Sequence, residues 1–325
     1  MQPVKLKIKQ TVVIIPTSPF NFDATVFKPA HFPTPDSFWQ PGKRWQTALW
    51  RRRPLGLIIE NKGTIAKPKV LLHVFSQTGL SKEFLENIKQ EIIWRFNLHL
   101  NSKDFIERFK TDKILGPAIK NLKGMRPMTH GSLYDFLVIT IMLQNAPVRR
   151  SIQMMQNLFE KYGKLLEFGS KKLYCLWPAE KLAKVPEQDL RKLKVGYRAK
   201  NLLRISLPFA KNEIDEMELR QKLPTEQKKI LLSLYGVGPQ SVSYLMPDIF
   251  HNFDFLEHVP LWERKILSKK IFNTGTENPA PEEKLLKFFG KYKPYKQLAM
   301  HYIWEDLWWR HKQSPIDWLI KEVRA

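Results

Sequence analysis

Leu231 to Gln240 read LLSLYGVGPQ, an apolar helical run closed by Gly236-Val237-Gly238, and a second helical run, Ser241 to Met246, follows at once. Two glycines around one apolar residue let the chain reverse tightly. The backbone N–H groups that open the second helix have no partner inside it, so the turn is a ready site for a phosphate. Any tight helix pair can use such glycines, and the turn alone permits an anion without requiring one.

The rest of the chain weights that choice. Its 325 residues carry 54 Lys and Arg against 31 Asp and Glu, a formal charge of +23, and the pI is near 9.9. Such a molecule attracts polyanions at long range, and nucleic acid is the leading partner. Binding to a membrane surface would need a hydrophobic face or anchor, and the sequence has no apolar stretch of about 18 residues to cross one. The N-terminus, MQPVKLKIKQTVVII, alternates Lys5, Lys7 and Lys9 with Leu6 and Ile8 as a strand does. Its apolar run is shorter than a secretory core of about 7 to 15 residues. An intracellular monomer with no membrane partner is expected. The single cysteine, Cys175, excludes an internal disulfide framework, an all-cysteine zinc site and a four-cysteine cluster, and reads as a small buried hydrophobe. The eight histidines form no short metal-binding spacing, so neither a metal on side chains nor an organic cofactor is expected.

Composition changes near residue 115, which predicts a mixed N-terminal domain over 1–115 and a larger, all-helical one over 116–325, an α+β chain. Lys5 to Ile15, Leu55 to Glu60 and Lys69 to Phe75 are rich in Val, Ile and Leu and bounded by Pro, Gly or Asn, as strands are. Ser81 to Leu98 opens on a capping Ser and repeats Phe84, Ile88, Ile92 and Phe96 at helical spacing. The Pro- and aromatic-rich Phe20 to Trp39 and the basic Lys43 to Arg53 read as exposed loop. From Gly124 onward the periodicity is helical, with Ser132 to Leu143, Val148 to Tyr162, Ala199 to Phe209, Thr225 to Leu234, Leu261 to Phe272 and Tyr295 to Arg310 the longest runs.

Several segments resemble, in the right order, the helix-hairpin-helix (HhH-GPD) superfamily of DNA base-excision glycosylases. They are Gly124 to Arg150 with its central LQNAPVRR, Lys194 to Lys200 (KVGYRAK), the hairpin itself, and Tyr292 to Trp309 (YKPYKQLAMHYIWEDLWW). The last is similar to the alkylbase branch typified by bacterial 3-methyladenine-DNA glycosylase II. The resemblance implies two helical subdomains flanking a DNA-binding cleft, with a small antiparallel domain ahead of them. It implies an enzyme that flips a damaged base out of duplex DNA and fills the gap with a wedge. Gly236, Val237, Gly238, Gln240 and Ser241 would then meet the phosphate backbone, and the family's hairpin carbonyls can also hold a monovalent cation. Gln144 and Asn145 fall at the wedge, Arg150 near the estranged base, and Tyr197 and Arg198 at the residues that fill or read the gap. A polar helix–helix turn would explain Gln144 and Asn145 equally.

The same resemblance marks two departures. Members place an Asp about twenty residues beyond the hairpin to stabilise the cationic sugar, and here that position holds Pro260. Glu257 lies three residues before it and Glu263 three after. Glu257 is the candidate carboxylate, and Glu263 reads as an exposed helix charge. Bifunctional members carry a Schiff-base lysine where this chain has Gln240, so strand nicking is not expected. A non-catalytic relative that binds bent or damaged DNA is the alternative. The aromatics Tyr292, Tyr295, Tyr302, Trp304, Trp308 and Trp309 invite a pocket for a cationic base, but their helical spacing favours core, and Trp304 is read as core.

Overall fold

The computed structural model describes residues 2–27, 33–129 and 131–324. The first part is built on β1 (Val4–Lys5), β2 (Ile8–Ile14), α1 (Phe22–Val26), β3 (Ser37–Gln40), β4 (Lys43–Trp50), β5 (Arg53–Asn61) and β6 (Val70–Ser76). Five of the strands form an antiparallel sheet in the order β2-β6-β5-β4-β3. Helix α2 (Lys82–Arg95) lays Ile88 and Ile92 on Leu57, Ile59, Leu72 and Val74 of that sheet. The Ser81 hydroxyl caps it, accepting from the Phe84 amide at 3.1 Å.

The expected loops at Phe20 to Trp39 and Lys43 to Arg53 are corrected here. Phe20 and Phe22 are buried, α1 and β3 occupy much of the first stretch, and β4 runs inside the sheet. Residues 28–32 of that stretch lie outside the described residues. Arg44 is the physical reason the basic run misleads. It is 2 % exposed, donating from Nε to Gln46 at 2.9 Å and from Nη1 to the Val26 carbonyl at 3.3 Å, and burial lowers its pKa to about 10. Only Arg51 and Arg52, at the β4–β5 turn with φ of +47° and +63°, and the adjoining Arg53 face solvent.

The second part comprises α3 (Lys103–Phe109), α4 (Leu115–Asn121), α5 (Leu133–Leu143), α6 (Val148–Tyr162), β7 (Lys164–Phe168), β8 (Lys171–Cys175), α7 (Ala179–Leu182), α8 (Glu187–Lys192), α9 (Arg198–Ala210), α10 (Glu216–Leu219), α11 (Pro224–Ser233), α12 (Pro239–Asp248), α13 (Leu261–Phe272), α14 (Glu282–Gly290), α15 (Lys296–Gln313) and α16 (Asp317–Arg324). The α+β class holds, with one departure from an all-helical second part. Strands β7 and β8 turn at Gly169-Ser170, both at positive φ (+50° and +66°), and β7 also pairs in parallel with β1. This hairpin covers the second face of the main sheet, where Leu166, Phe168 and Cys175 meet Trp45 and Ile58. Cys175, 1 % exposed, is the buried hydrophobe its isolation suggested.

The helices divide between two cores. One gathers Leu137, Met154, Leu202, Leu231 and Leu245 from α5, α6, α9, α11 and α12. The other gathers Phe105, Leu115, Leu285, Phe289 and Tyr302, so α3, before residue 115, and α4, which begins at it, share this core with α14 and α15. The hairpin helix α12 belongs to the first core and the segment into α13 crosses to the second. Tyr292 and Tyr302 are fully buried, donating to Asp112 at 3.0 Å and to the Met125 carbonyl at 2.9 Å, which makes them core.

Candidate nucleic-acid interface

The turn between α11 and α12 has the geometry that two glycines make possible. Gly236 sits at φ +79°, a left-handed conformation, with Asn201 3.3 Å from where a Cβ would lie. Val237 is the anchor, 8 % exposed, its amide donating to the Leu234 carbonyl at 3.1 Å. Gly238 is the N-cap of α12 in extended backbone, and nothing lies within 4 Å of its missing Cβ. Pro239 follows at the first helical position and has no N–H to leave idle. The first-turn amides of Gln240 and Ser241 therefore open beside bare backbone. Gly236 and Gln240 are exposed, while the Ser241 side chain is buried.

Two segments distant in sequence converge on this turn through Gln144, the C-cap of α5. Its side-chain amide donates to the Gly236 carbonyl at 2.7 Å and accepts from Asn201 at 3.2 Å. Its own carbonyl accepts from the Tyr197 hydroxyl at 3.3 Å and from the Arg198 guanidinium. Asn145, at φ +46°, donates to the Tyr197 hydroxyl at 3.3 Å, and Arg150 donates to the Lys194 carbonyl at 2.6 Å. The Arg198 guanidinium lies 4.7 Å from the Tyr197 ring centroid. Tyr197 is 46 % exposed, whereas Arg198 is buried and committed to the Gln144 carbonyl. Of that pair, only the aromatic ring faces outward.

A family model described as HhH-GPD superfamily base excision DNA repair protein matches residues 138–313, more than half the chain and the whole of this constellation. The chain belongs to the HhH-GPD superfamily. It is 22% identical over 225 residues to a DNA-3-methyladenine glycosylase of Bacillus subtilis, covering 69% of this chain and 73% of that protein. The 3-methyladenine DNA glycosylase of Archaeoglobus fulgidus shares its fold, at a TM-score of 0.73 and 13% identity over 92% of this chain and 99% of that one. So does the 8-oxoguanine glycosylase/lyase of Clostridium acetobutylicum, at 0.67 and 17% over 91% and 95%.

Beyond the HhH-GPD hairpin, Pro260 is the N-cap of α13, at φ −59° and ψ 153°. The Glu257 side chain is 54% exposed and 2.5 Å from the Lys228 ammonium of α11. Glu263 is not the exposed charge its sequence suggested. It is 6 % exposed and accepts from the Tyr244 hydroxyl of α12 at 2.7 Å. Burial, reinforced by that carboxylate, raises the Tyr244 pKa well above its ordinary value. Trp262 beside it is 50 % exposed, meeting Trp304 edge-on at 5.2 Å. Trp304 is thus half-buried at the rim of the second core.

Asn201 and Tyr244 are members of the site that sequence reading passed over. Each lies four residues beyond a named one, Tyr197 and Gln240, so helical spacing carried the signal. The burial of Glu263 had none, because Arg264 and Lys265 make its surroundings read as surface.

At the far end of the hairpin helices, where Asn252 donates to Gln227 at 2.8 Å, lies a cleft of about 800 Å³ lined by Trp50, Arg51, Trp94, Arg220, His251 and Phe253. His251 stacks on Trp94 at 4.2 Å. Burial, then the nearby Arg220 charge, lowers the His251 pKa to about 4.

Proposed function

We propose that the protein is a monofunctional DNA N-glycosylase of the alkylbase type, flipping a damaged base from duplex DNA and hydrolysing its bond to the sugar without a cofactor. The observation that carries this reading is the bare backbone over Gly238 at the first turn of α12, set among Gln144, Asn145 and Tyr197. The Gln240 and Ser241 amides would take a phosphate, and Arg150 would add charge along the strand. The Tyr197 ring, with Gln144 and Asn145, would occupy the gap and offset part of the few kcal/mol that flipping costs. Gln240 supplies no amine for a Schiff base, so base release without strand nicking is expected. The Leu234 and Gly236 carbonyls accept one donor each and keep a second lone pair, which is compatible with a monovalent cation at the turn.

In the reaction the C1′–N bond breaks with its electron pair leaving on the base. Cationic character develops on the sugar, water bonds to C1′, and its proton passes to a carboxylate. Glu257 is the proposed carboxylate, paired with Lys228 of α11. Single-turnover assays on duplexes carrying alkylated bases, 8-oxoguanine, uracil or hypoxanthine test the assignment. Wild type should release the alkylated base, and Glu257→Gln should slow release by about 100-fold or more. Pro260 at the start of α13 favours a second reading, a scaffold that binds bent or damaged duplex without cutting it. Tight binding with no release of any base would establish that one instead.

A further inference from the structure

We infer that the free edge of β2 is a docking site for an extended acidic segment of a partner protein, which adds to the five-stranded sheet as a further strand. β2 pairs with β6 alone, from Ile8 opposite Ser76 to Ile14 opposite Val70. Every second residue of such an edge strand turns its N–H and C=O away from the sheet, and no described residue bonds to those groups of β2. At the other edge, β3 spans only 4 residues, and the chain just before it is held, the Pro35 carbonyl accepting from the Tyr174 amide at 2.8 Å. β2 is the longer edge and the open one.

The side chains along this edge define what pairs with it. Lys9, Thr11 and Val13 share one face of β2, Lys7 and Ile15 continue the alternation at its two ends, and Lys5 on β1 adds a third cation; all six are exposed. Val13 at 47% and Ile15 at 61% are among the most exposed large apolar side chains of the chain, and the three ammonium groups make no ion pair with a described residue. Lysines on an edge ordinarily guard it against a second strand, but they do so selectively, because a strand bearing carboxylates meets attraction instead. A second copy of this chain would bring its own lysines to the edge, with no acid between Val4 and Ile15 to answer them. Duplex DNA would answer the charge and leave Val13 and Ile15 in water. An acidic strand satisfies all three features, with backbone pairing along β2, carboxylates opposite Lys7 and Lys9, and apolar side chains over Val13 and Ile15.

The probe is a fluorescein-labelled peptide, Val-Thr-Val-Thr-Thr-Thr-Glu-Ile-Glu, composed to run antiparallel to the chain from Ile15 back to Lys7 and titrated into the full-length protein. It should bind about tenfold more tightly than its counterpart with Lys in place of Glu. The double variant Lys7→Glu, Lys9→Glu, checked for folding by its melting temperature, should reverse that preference. Two further peptides, N-methylated at alternate residues, should separate, because only the set whose N–H groups face β2 loses its hydrogen bonds. A preference unmoved by the charge reversal, or equal binding by the two N-methylated peptides, would overturn the inference. So would failure of the acidic peptide to bind. In that case a dimeric chain in sedimentation would give the edge to a second copy, and a collapse of duplex affinity in the double variant would give the lysines to DNA. None of these readouts needs base release, so the inference stands or falls apart from the enzymatic proposal.

Discussion

The hairpin face and the far end of the same two helices spend polar residues in opposite ways. At the face, Gln144, Asn145 and Tyr197 share mostly exposed hydrogen bonds of 2.7 to 3.3 Å around a turn whose amides stay open. At the far end, Glu91 of α2 is buried and meets Arg220 at 2.7 Å and Arg95 at 2.6 Å, and Arg220 also reaches Glu216 at 2.5 Å. Four charges are consumed by one another there. An exposed polar group is cheap to leave ready for a ligand, whereas a buried charge is tolerable only when paired. The first arrangement suits recognition, and the second fixes α2 of the N-terminal part against α10.

The contrast breaks most visibly at Glu91. Glu91→Ala takes the carboxylate from the buried Arg95 and leaves the buried Arg220 with Glu216 alone, and should cost about 3 to 5 kcal/mol in urea unfolding. A loss below about 1 kcal/mol would mean that the cluster behaves like a surface one.

Acid should strike the far end next. Burial pushes the Glu91 pKa up, but Arg95 and Arg220 outweigh it and hold it below the ordinary value. Its stabilisation is present above the unfolded pKa and is lost as pH falls through the folded one. His251 adds to this. Its pKa is about 4 in the fold against 6.5 ordinarily, so the unfolded chain binds the extra proton between those values. Stability should fall by roughly 3 kcal/mol as pH drops across that window. His251→Phe should flatten the pH 6.5 to 4 limb in denaturant titrations, and an unchanged slope would contradict this account.

At the face, effects should appear in binding before stability. Gly238→Val enters open space and should change unfolding free energy by no more than about 0.5 kcal/mol. It should nonetheless weaken duplex binding about tenfold, whatever the base sequence, because the contacts proposed there are to phosphate. Gly236→Ala sharpens the point, since its φ of +79° should cost about 1 kcal/mol of stability on its own. Equal behaviour of the two variants in binding and melting would erase the distinction between an open glycine and a strained one.

The smallest effect belongs to Gln144→Ala. Losing partly exposed hydrogen bonds should cost about 1 kcal/mol or less, read by thermal melting. A larger loss would show that the face is held as rigidly as the Glu91 cluster.

Much of this was legible in the chain itself. Periodicity and caps placed α6 and α13 to the residue, because helix signals are local and repeat every three or four positions. Gly236-Val237-Gly238 announced the tight turn, and the net charge of +23 pointed to a polyanion. What resisted reading was everything that depends on which faces meet. Arg44 belongs to a run that looks like solvated surface, yet β4 carries it inside. The β7–β8 hairpin alternates only over two five-residue strands, too few to stand out among helices. Glu257 and Glu263 are equidistant from Pro260 and chemically alike, and no local rule separates them. Only the packing of α12 against α13 leaves one exposed beside Lys228 and buries the other beneath Tyr244. Local sequence determined the elements and the turn, because their causes lie within a few residues. The tertiary structure decided which charges are buried, because desolvation depends on neighbours that arrive from elsewhere in the chain.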